Sequence, residues 1–190
     1  IPGVMRRAPN IVKGLYYYSL KNNKKELTLG SLIERNAEKY GARPAILYED
    51  LRLSYTEFNA WANRIAHYLR SQGLGRGDSI ALFLENRPEL LAIVAGAAKL
   101  GVACAMLNTS QKGKVLEHSI NLIAPQMIVV GEELQAPFES IREKITFGHS
   151  QPYLFLADTD TLKDVGQTPD GYINLAEKVS QYTGTNPTVT

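Results

Sequence analysis

The sequence predicts an α/β fold with three layers, α/β/α, around a mostly parallel sheet and with a small hairpin near its N-terminal end. Short apolar runs, typical of strands covered on both faces, alternate with longer segments whose apolar residues recur at helical spacing. One stretch, Ser79 to Asn108, holds a complete strand, helix and strand. Such alternation is typical of an open sheet with helices on both faces.

Composition excludes several classes of protein. The 190 residues carry a formal net charge of +2 with the signs mixed, so charge gives no argument for nucleic-acid binding. The single cysteine, Cys104, lies in an apolar run, and we expect a buried, reduced thiol and a reducing compartment. The apolar stretch from Leu90 to Leu107 is interrupted by Lys99 and Gly101, which favours core over a membrane span.

Residues 1–26 form a basic and aromatic arm. The segment contains six lysines and arginines but a single acid, Glu26, and its sequence includes three consecutive tyrosines, Tyr16 to Tyr18. This composition suits a peripheral membrane segment, and it equally suits an arm that packs on its own domain or on other parts of a longer protein. The sequence leaves both interpretations open.

The first elements have clear start and stop signals. Thr28 is expected to cap a helix that Gly41 ends, and residues 45–48 and 51–53 predict a hairpin around Glu49 and Asp50. Ser54-Tyr55-Thr56-Glu57 is a capping box that begins an amphipathic helix. Its apolar stripe comprises Phe58, Trp61, Ala62, Ile65 and Leu69, and His67 lies on the opposite face, where we expect a solvated surface histidine.

The glycines of residues 73–78 are interpreted as a turn. A dinucleotide-binding fingerprint follows a strand and opens a helix, whereas these glycines follow a helix and precede a strand. In the central unit, Ile80 to Leu84 is the first strand, Asn86 is expected to cap the next helix, and Pro88 suits its first turn. The helix, Leu90 to Leu100, is apolar nearly all round and should be buried.

The remaining elements repeat the alternation. Val102 to Leu107 predicts the next strand, and an amphipathic helix follows that Pro125 ends. The pattern then predicts a strand at 127–130, a helix at 132–144 and a strand at 153–157. Beyond Asp158 the chain is polar and no further strong strand is predicted. We therefore divide the chain into the arm (1–26), an α/β subdomain (27–158) and a polar C-terminal segment (159–190).

Residues that carry chemistry are nearly absent from the sequence. His67, His118 and His149 are far apart and no cysteine pair accompanies them, so metal-ligand spacing is missing; His118, beside apolar residues, is interpreted as structural. The nearest match to a phosphate cradle, Tyr182 to Pro187, has no preceding apolar strand, second glycine or following lysine, and we reject it. No catalytic, cofactor-binding or metal-binding residue is assigned.

Six short runs stand out by their order and spacing: Leu53 to Phe58, Glu85 to Glu89, Ala98 to Val102, Leu107 to Thr109, Leu116 to Ile120 and Met127 to Gly131. Together they resemble the N-terminal part of long-chain and very-long-chain acyl-CoA synthetases of the fatty-acid transport protein type. These enzymes belong to the AMP-forming, adenylate-forming superfamily. The resemblance covers roughly residues 27–133, and it rests on the order and spacing of the runs rather than on any one of them.

The resemblance implies a reaction for a longer parent protein. A fatty acid, ATP with Mg, and coenzyme A would be its substrates, and an acyl-adenylate would precede the acyl-CoA. The family's Gly-rich phosphate loop and catalytic lysine have no match here, so we expect these 190 residues to be an inactive scaffold subdomain of the AMP-binding domain. The expected location is cytoplasmic, with peripheral membrane contact through residues 1–26 left open.

Two other functions stay open from the sequence. One is a non-catalytic module that binds a membrane surface or dimerises, and the other is an unrelated nucleotide-binding α/β protein. The sequence that follows in the parent reading frame would distinguish these two functions from the ligase, since a Gly-rich loop and a lysine there would favour the ligase.

Overall fold

Five parallel strands form the central sheet of the protein, for which we describe residues 28–158 and 167–188 of a computed structural model. The elements in chain order are α1 (Leu29–Tyr40), β1 (Pro44–Tyr48), β2 (Leu51–Ser54), α2 (Tyr55–Ser71), β3 (Ser79–Phe83), α3 (Pro88–Leu100), β4 (Ala103–Met106), α4 (Gly113–Ile123), β5 (Met127–Gly131), α5 (Gln135–Glu139), β6 (Tyr153–Leu156), β7 (Ile173–Asn174) and α6 (Leu175–Ser180). The sheet order is β4-β3-β5-β6-β7, and β1 and β2 pair separately as an antiparallel hairpin. The predicted fold class is confirmed.

Two apolar cores cover the two faces of the sheet, because successive side chains on a strand point to opposite sides. On one face Ile80, Leu82 and Val129 pack with residues of α2, α3 and α6. On the other face Phe83 and Val130 pack with residues of α4 and α5. The three layers expected from the sequence are therefore present.

The predicted caps of the first helices are confirmed. The Ser54 hydroxyl accepts the Glu57 N–H at 3.2 Å, and the Glu57 carboxylate accepts the Ser54 N–H at 2.8 Å. Thr28 likewise caps α1 by accepting the N–H of Ser31. The two capping boxes supply partners for N–H groups that a helix leaves unpaired at its start.

Helix α3 is buried as predicted, but the residue at its N-cap differs from the prediction. Arg87 rather than Asn86 occupies the N-cap position, and its side chain makes no capping hydrogen bond because it is used elsewhere. At Gly96 the helix lies against α2 so closely that a Cβ atom would come within 2.7 Å of the Ala62 carbonyl oxygen. A residue without a side chain at this position therefore sets the distance between the two helices.

Three elements differ from the sequence prediction. Strand β4 lies at the edge of the sheet, and Met106 is 66% exposed there although its run is apolar. The predicted helix at 132–144 is broken into the five-residue helix α5 and two 3-10 turns, at Glu132–Leu134 and Arg142–Lys144. Pro137 has no N–H to donate to the carbonyl oxygen of residue 133, so a continuous helix is interrupted there. In the first turn of α5 a proline is tolerated, because that N–H would have no partner within the helix.

The third difference lies beyond Asp158. A two-residue strand, β7, extends the sheet beside β6, and the helix α6 follows directly. Tyr172, just before β7, packs its ring against Tyr153 and Phe155, so packing rather than an apolar run recruits this strand. The arm at 1–26 lies outside the described residues, and the division at 26 and 158 stays a prediction. Among the described helices, none has both the length and the apolarity to cross a bilayer.

Candidate functional site

The carboxyl ends of three neighbouring strands carry a group of charged residues. From β3 the chain crosses to β4 on one side, and β5 then lies on the other side of β3. The carboxyl edge next to such a reversal is where open α/β sheets bind their ligands. The residues that follow β3, β5 and β6 at this edge are called the carboxyl-end cluster: Glu85, Arg87, Glu89, Glu132, Glu133 and Asp158.

Arg87 is the centre of the carboxyl-end cluster. Its side chain is 8% exposed, and its guanidinium donates to the Leu156 carbonyl oxygen at 3.2 Å and to the Ala157 carbonyl oxygen at 3.0 Å. It also pairs with Asp158 at 3.4 Å and with Glu133 at 3.8 Å. A planar guanidinium can join several acceptors at fixed angles, so this one side chain connects the loop after β3 to the ends of β5 and β6.

The acids of the cluster hold the neighbouring backbone. Glu133 accepts the N–H of Glu85 at 2.7 Å, and Glu132 accepts the N–H of Asp158 at 2.8 Å. Burial raises the pKa of the Glu89 carboxyl, while Arg87 opposes that rise. Each loop at this edge is therefore tied to the next by a charged side chain.

The arrangement braces the ends of three strands. The two terminal nitrogens of Arg87 donate to carbonyl oxygens, and the hydrogen bonds of Glu132 and Glu133 go to backbone N–H groups. Arg87 Nε and Glu133 Oε2 are buried without a hydrogen-bond partner. No group of three His, Cys, Asp or Glu residues suited to a metal ion is found within residues 28–158 and 167–188. No residue of this cluster was predicted as a site residue, although charged residues directly after three buried strands were a signal for it.

The structure keeps the individually considered residues apart. Cys104 lies on the edge strand and is only partly buried, less than the buried thiol expected from the sequence, and this burial raises the pKa of its thiol to about 12. His118 is exposed, and His149 accepts the N–H of Gln151 at 3.0 Å. The expectation of a solvated His67 is wrong: it is half-buried, and its Nε2 lies 2.9 Å from the Thr185 carbonyl oxygen.

The two glycine-containing segments have different roles. Residues 73–78 form the predicted turn between α2 and β3, in which Asp78 accepts the N–H of Gly75 at 2.8 Å. The segment from Tyr182 to Pro187 runs along α2, where polar side chains of that helix bind it. The backbone carbonyl oxygens of Gly184 and Thr185 are therefore already bound by side chains of α2.

Comparison with known proteins gives a family match. Residues 33–176 match the model of the family described as AMP-binding enzyme. The medium/long-chain-fatty-acid–CoA ligase FadD6 of Mycobacterium tuberculosis is 31% identical over 134 residues, which are 70% of this chain and 22% of that protein. Human long-chain fatty acid transport protein 6 is 30% identical over 165 residues, which are 85% of this chain and 25% of that protein. The chain thus spans about a quarter of the length of these relatives.

Solved structures show the same fold. The N-terminal domain of FACL13 from Mycobacterium tuberculosis superposes with a TM-score of 0.69 at 22% identity, covering 86% of this chain and 38% of that one. A Mycobacterium tuberculosis fatty acyl CoA synthetase gives a TM-score of 0.68 at 22% identity, covering 86% of this chain and 30% of that one. At this identity the likeness supports the architecture alone.

Proposed function

This chain belongs to the AMP-binding enzyme family, and from that premise we propose that it is the N-terminal part of an AMP-forming fatty acid–CoA ligase. The match over residues 33–176 is the observation that carries the proposal. The names of the relatives, a medium/long-chain-fatty-acid–CoA ligase and a long-chain fatty acid transport protein, support a fatty acid as the substrate.

The proposed reaction of the longer protein has two steps. The carboxylate oxygen of the fatty acid attacks the α-phosphorus of ATP, the bond to the bridging oxygen breaks, and pyrophosphate leaves. The thiolate of coenzyme A then attacks the acyl carbon, and AMP departs as the thioester forms. Such chemistry depends on positioned groups that neutralise charge on the phosphates.

The contribution of this chain is a rigid scaffold. The parallel sheet and the buried helix α3 provide a fixed frame, and Arg87 holds the loop after β3 against the ends of β5 and β6. In a pocket formed between this frame and the rest of a ligase, the wall supplied by this chain would be rigid, because a close-packed core deforms little.

An Mg ion that accompanies ATP is usually held by one or two carboxylates together with the phosphates. No suitable group of three ligands lies within residues 28–158 and 167–188, and Arg87 already neutralises part of the carboxyl-end cluster. These residues offer no preformed Mg site, and we propose that the ion is held by the phosphates of ATP and by other parts of the ligase.

Pyrophosphate release tests the proposal. The 190-residue chain and a longer protein that carries it are each given Mg-ATP with laurate, palmitate or lignocerate. We expect fatty-acid-dependent release from the longer protein and none from the 190 residues. Release from the 190 residues alone would show that the scaffold assignment is wrong, and a longer protein that fails with every fatty acid would contradict the ligase assignment.

For residues 1–26 we propose peripheral contact with an anionic membrane. The support is compositional: six basic residues and three tyrosines against one acid. Co-sedimentation with phosphatidylserine vesicles should be stronger for the whole chain than for residues 27–190, and it should weaken as salt is added. Equal sedimentation of the two chains would refute a role for the arm.

A further inference from the structure

The polar face of α2 binds a segment near the C-terminal end of the chain. We call residues 182–188 the C-terminal strap. Its helix partners, Asn59, Asn63, His67, Arg70 and Ser71, recur along one face of α2. The sequence gives this face the pattern of a solvated surface, whereas the structure uses it as a binding surface.

Asn186 and Asn63 form the centre of this contact. The Asn186 side-chain oxygen accepts from Asn59 Nδ2 at 2.8 Å and from Asn63 Nδ2 at 2.9 Å. Asn63 Nδ2 also donates to the Gly184 carbonyl oxygen at 2.7 Å, and its residue is completely buried. One acceptor on the strap is therefore held by two consecutive turns of the helix.

A buried lysine orders one of these donors. The side chain of Lys99 is 1% exposed, and its ammonium donates to Glu34 at 2.6 Å and to Asn59 Oδ1 at 2.9 Å. Since Asn59 Oδ1 accepts from Lys99, its Nδ2 is oriented towards Asn186. The network thus joins α1, α2, α3 and the strap.

Contacts on both sides fix the remainder of the strap. The hydroxyl of Tyr182 lies 2.7 Å from that of Ser71, and Arg70 donates to the Thr188 carbonyl oxygen at 2.8 Å. A Cβ atom at Gly184 would come within 3.0 Å of Ala60 Cβ, so the backbone lies directly on the helix. His67 can donate from Nε2 to the Thr185 carbonyl oxygen, which adds a further contact between α2 and the strap.

We propose that the C-terminal strap fixes the position of the polypeptide that follows it in a longer ligase, and that Asn186 and Asn63 are positioning residues for adenylate formation. The role in adenylate formation rests on the function proposed above. Because the strap is bound at successive points along α2, it fixes where the next part of the protein begins relative to the α/β unit. Misplacement by about 1 Å at a reacting centre can lower a rate about 100-fold.

The docking of the strap is tested first on the 190-residue chain. Chymotrypsin cleaves after exposed tyrosines, and Tyr182 is half-buried against Tyr68. We expect Asn186→Ala to speed cleavage at Tyr182 by about tenfold or more, because two hydrogen bonds to α2 are lost. Asn186→Asp keeps the accepting oxygen and should remain near the wild-type rate. Asn121→Ala, at an exposed donor on α4, is the matched control.

The positioning role is tested in a longer protein that carries these residues. Per active enzyme, kcat for adenylate formation should fall about tenfold or more in Asn186→Ala with little change in the KM for the fatty acid, and Asn186→Asp should restore it. Unchanged cleavage in Asn186→Ala overturns the docking, and faster cleavage with wild-type kcat overturns the positioning role. A wild-type protein that forms no adenylate overturns the ligase assignment, while the cleavage comparison still decides whether the strap is docked.

Discussion

Glu57 shows how a single charge is tied to the start of a helix. Its carboxylate accepts the N–H and the hydroxyl of Ser54, at 2.8 and 2.7 Å. The hydrogen bond from the Ser54 backbone, followed by that from its side chain, lowers the pKa of Glu57 below its usual value. A carboxyl with a lowered folded-state pKa stabilises the fold above its unfolded pKa and loses that contribution as the pH falls.

The first prediction concerns this pH dependence. The difference in unfolding free energy between the wild type and Glu57→Gln should be largest above about pH 5 and should shrink as the pH falls through the lowered pKa. Urea denaturation from about pH 6 to about pH 3 measures it. In a Ser54→Ala background, where one of the two hydrogen bonds is missing, the dependence should be weaker. A difference that grows on acidification would contradict this assignment.

At the level of elements, the packing of α3 on α2 depends on the absence of a side chain at Gly96. A Cβ there would lie 2.7 Å from the Ala62 carbonyl oxygen and 2.8 Å from Ile65 Cγ2. Ala62 and Ile65 are both buried, so neither side can move aside without a shift of a helix. The interface between the two helices is therefore intolerant of one added carbon.

The second prediction follows for Gly96→Ala. Overpacking usually costs about 1–3 kcal/mol, and a Cβ only 2.7 Å from a backbone oxygen places Gly96→Ala in the upper part of that range, at about 2–3 kcal/mol. Alanine favours a helix by about 1 kcal/mol over glycine, so we expect a net loss of about 1–2 kcal/mol in unfolding free energy. Gly75→Ala is the matched control, because a Cβ at Gly75 meets nothing within 4 Å. Equal stability of the two variants in chemical denaturation would count against a close helix contact.

For the whole molecule, Arg87 joins parts of the chain that lie far apart in sequence. It reaches carbonyl oxygens about seventy residues away, at the end of β6, and the carboxylate of Glu133 beyond β5. Its side chain is nearly buried, as are those of Glu89 and Glu133 beside it, so these two acids depend on its charge more than the exposed Asp158 does. Truncation of a buried, hydrogen-bonded charge leaves its partners desolvated and unpaired.

The third prediction is that Arg87→Ala lowers the unfolding free energy by about 3 kcal/mol at neutral pH. Arg87→Lys should recover part of this loss, since an ammonium keeps the charge but cannot bridge the same acceptors. Because burial already raises the pKa of Glu89, the loss in Arg87→Ala should lessen in acid as nearby carboxyls take up protons. A loss below about 0.5 kcal/mol would show that the bracing role is wrong.

Local signals were sufficient for much of the fold. The capping box at Ser54, the apolar helix α3 and the runs that became β3, β5 and β6 follow from residues within a few positions of one another. The candidate site depends instead on contacts between distant residues. Arg87 could be located after a strand, but its partners near Leu156 are set only when β5 and β6 pair in register.

The sequence by itself determined the fold class, the family resemblance and most elements, because hydrophobic periodicity and capping chemistry act over short distances along the chain. Only the tertiary structure decided that β4 is an edge strand, that β7 joins the sheet and that the polar face of α2 binds the C-terminal strap. The reason is physical: a polar helix face has the same periodicity whether water or another segment satisfies its side chains, and only the folded chain supplies that segment.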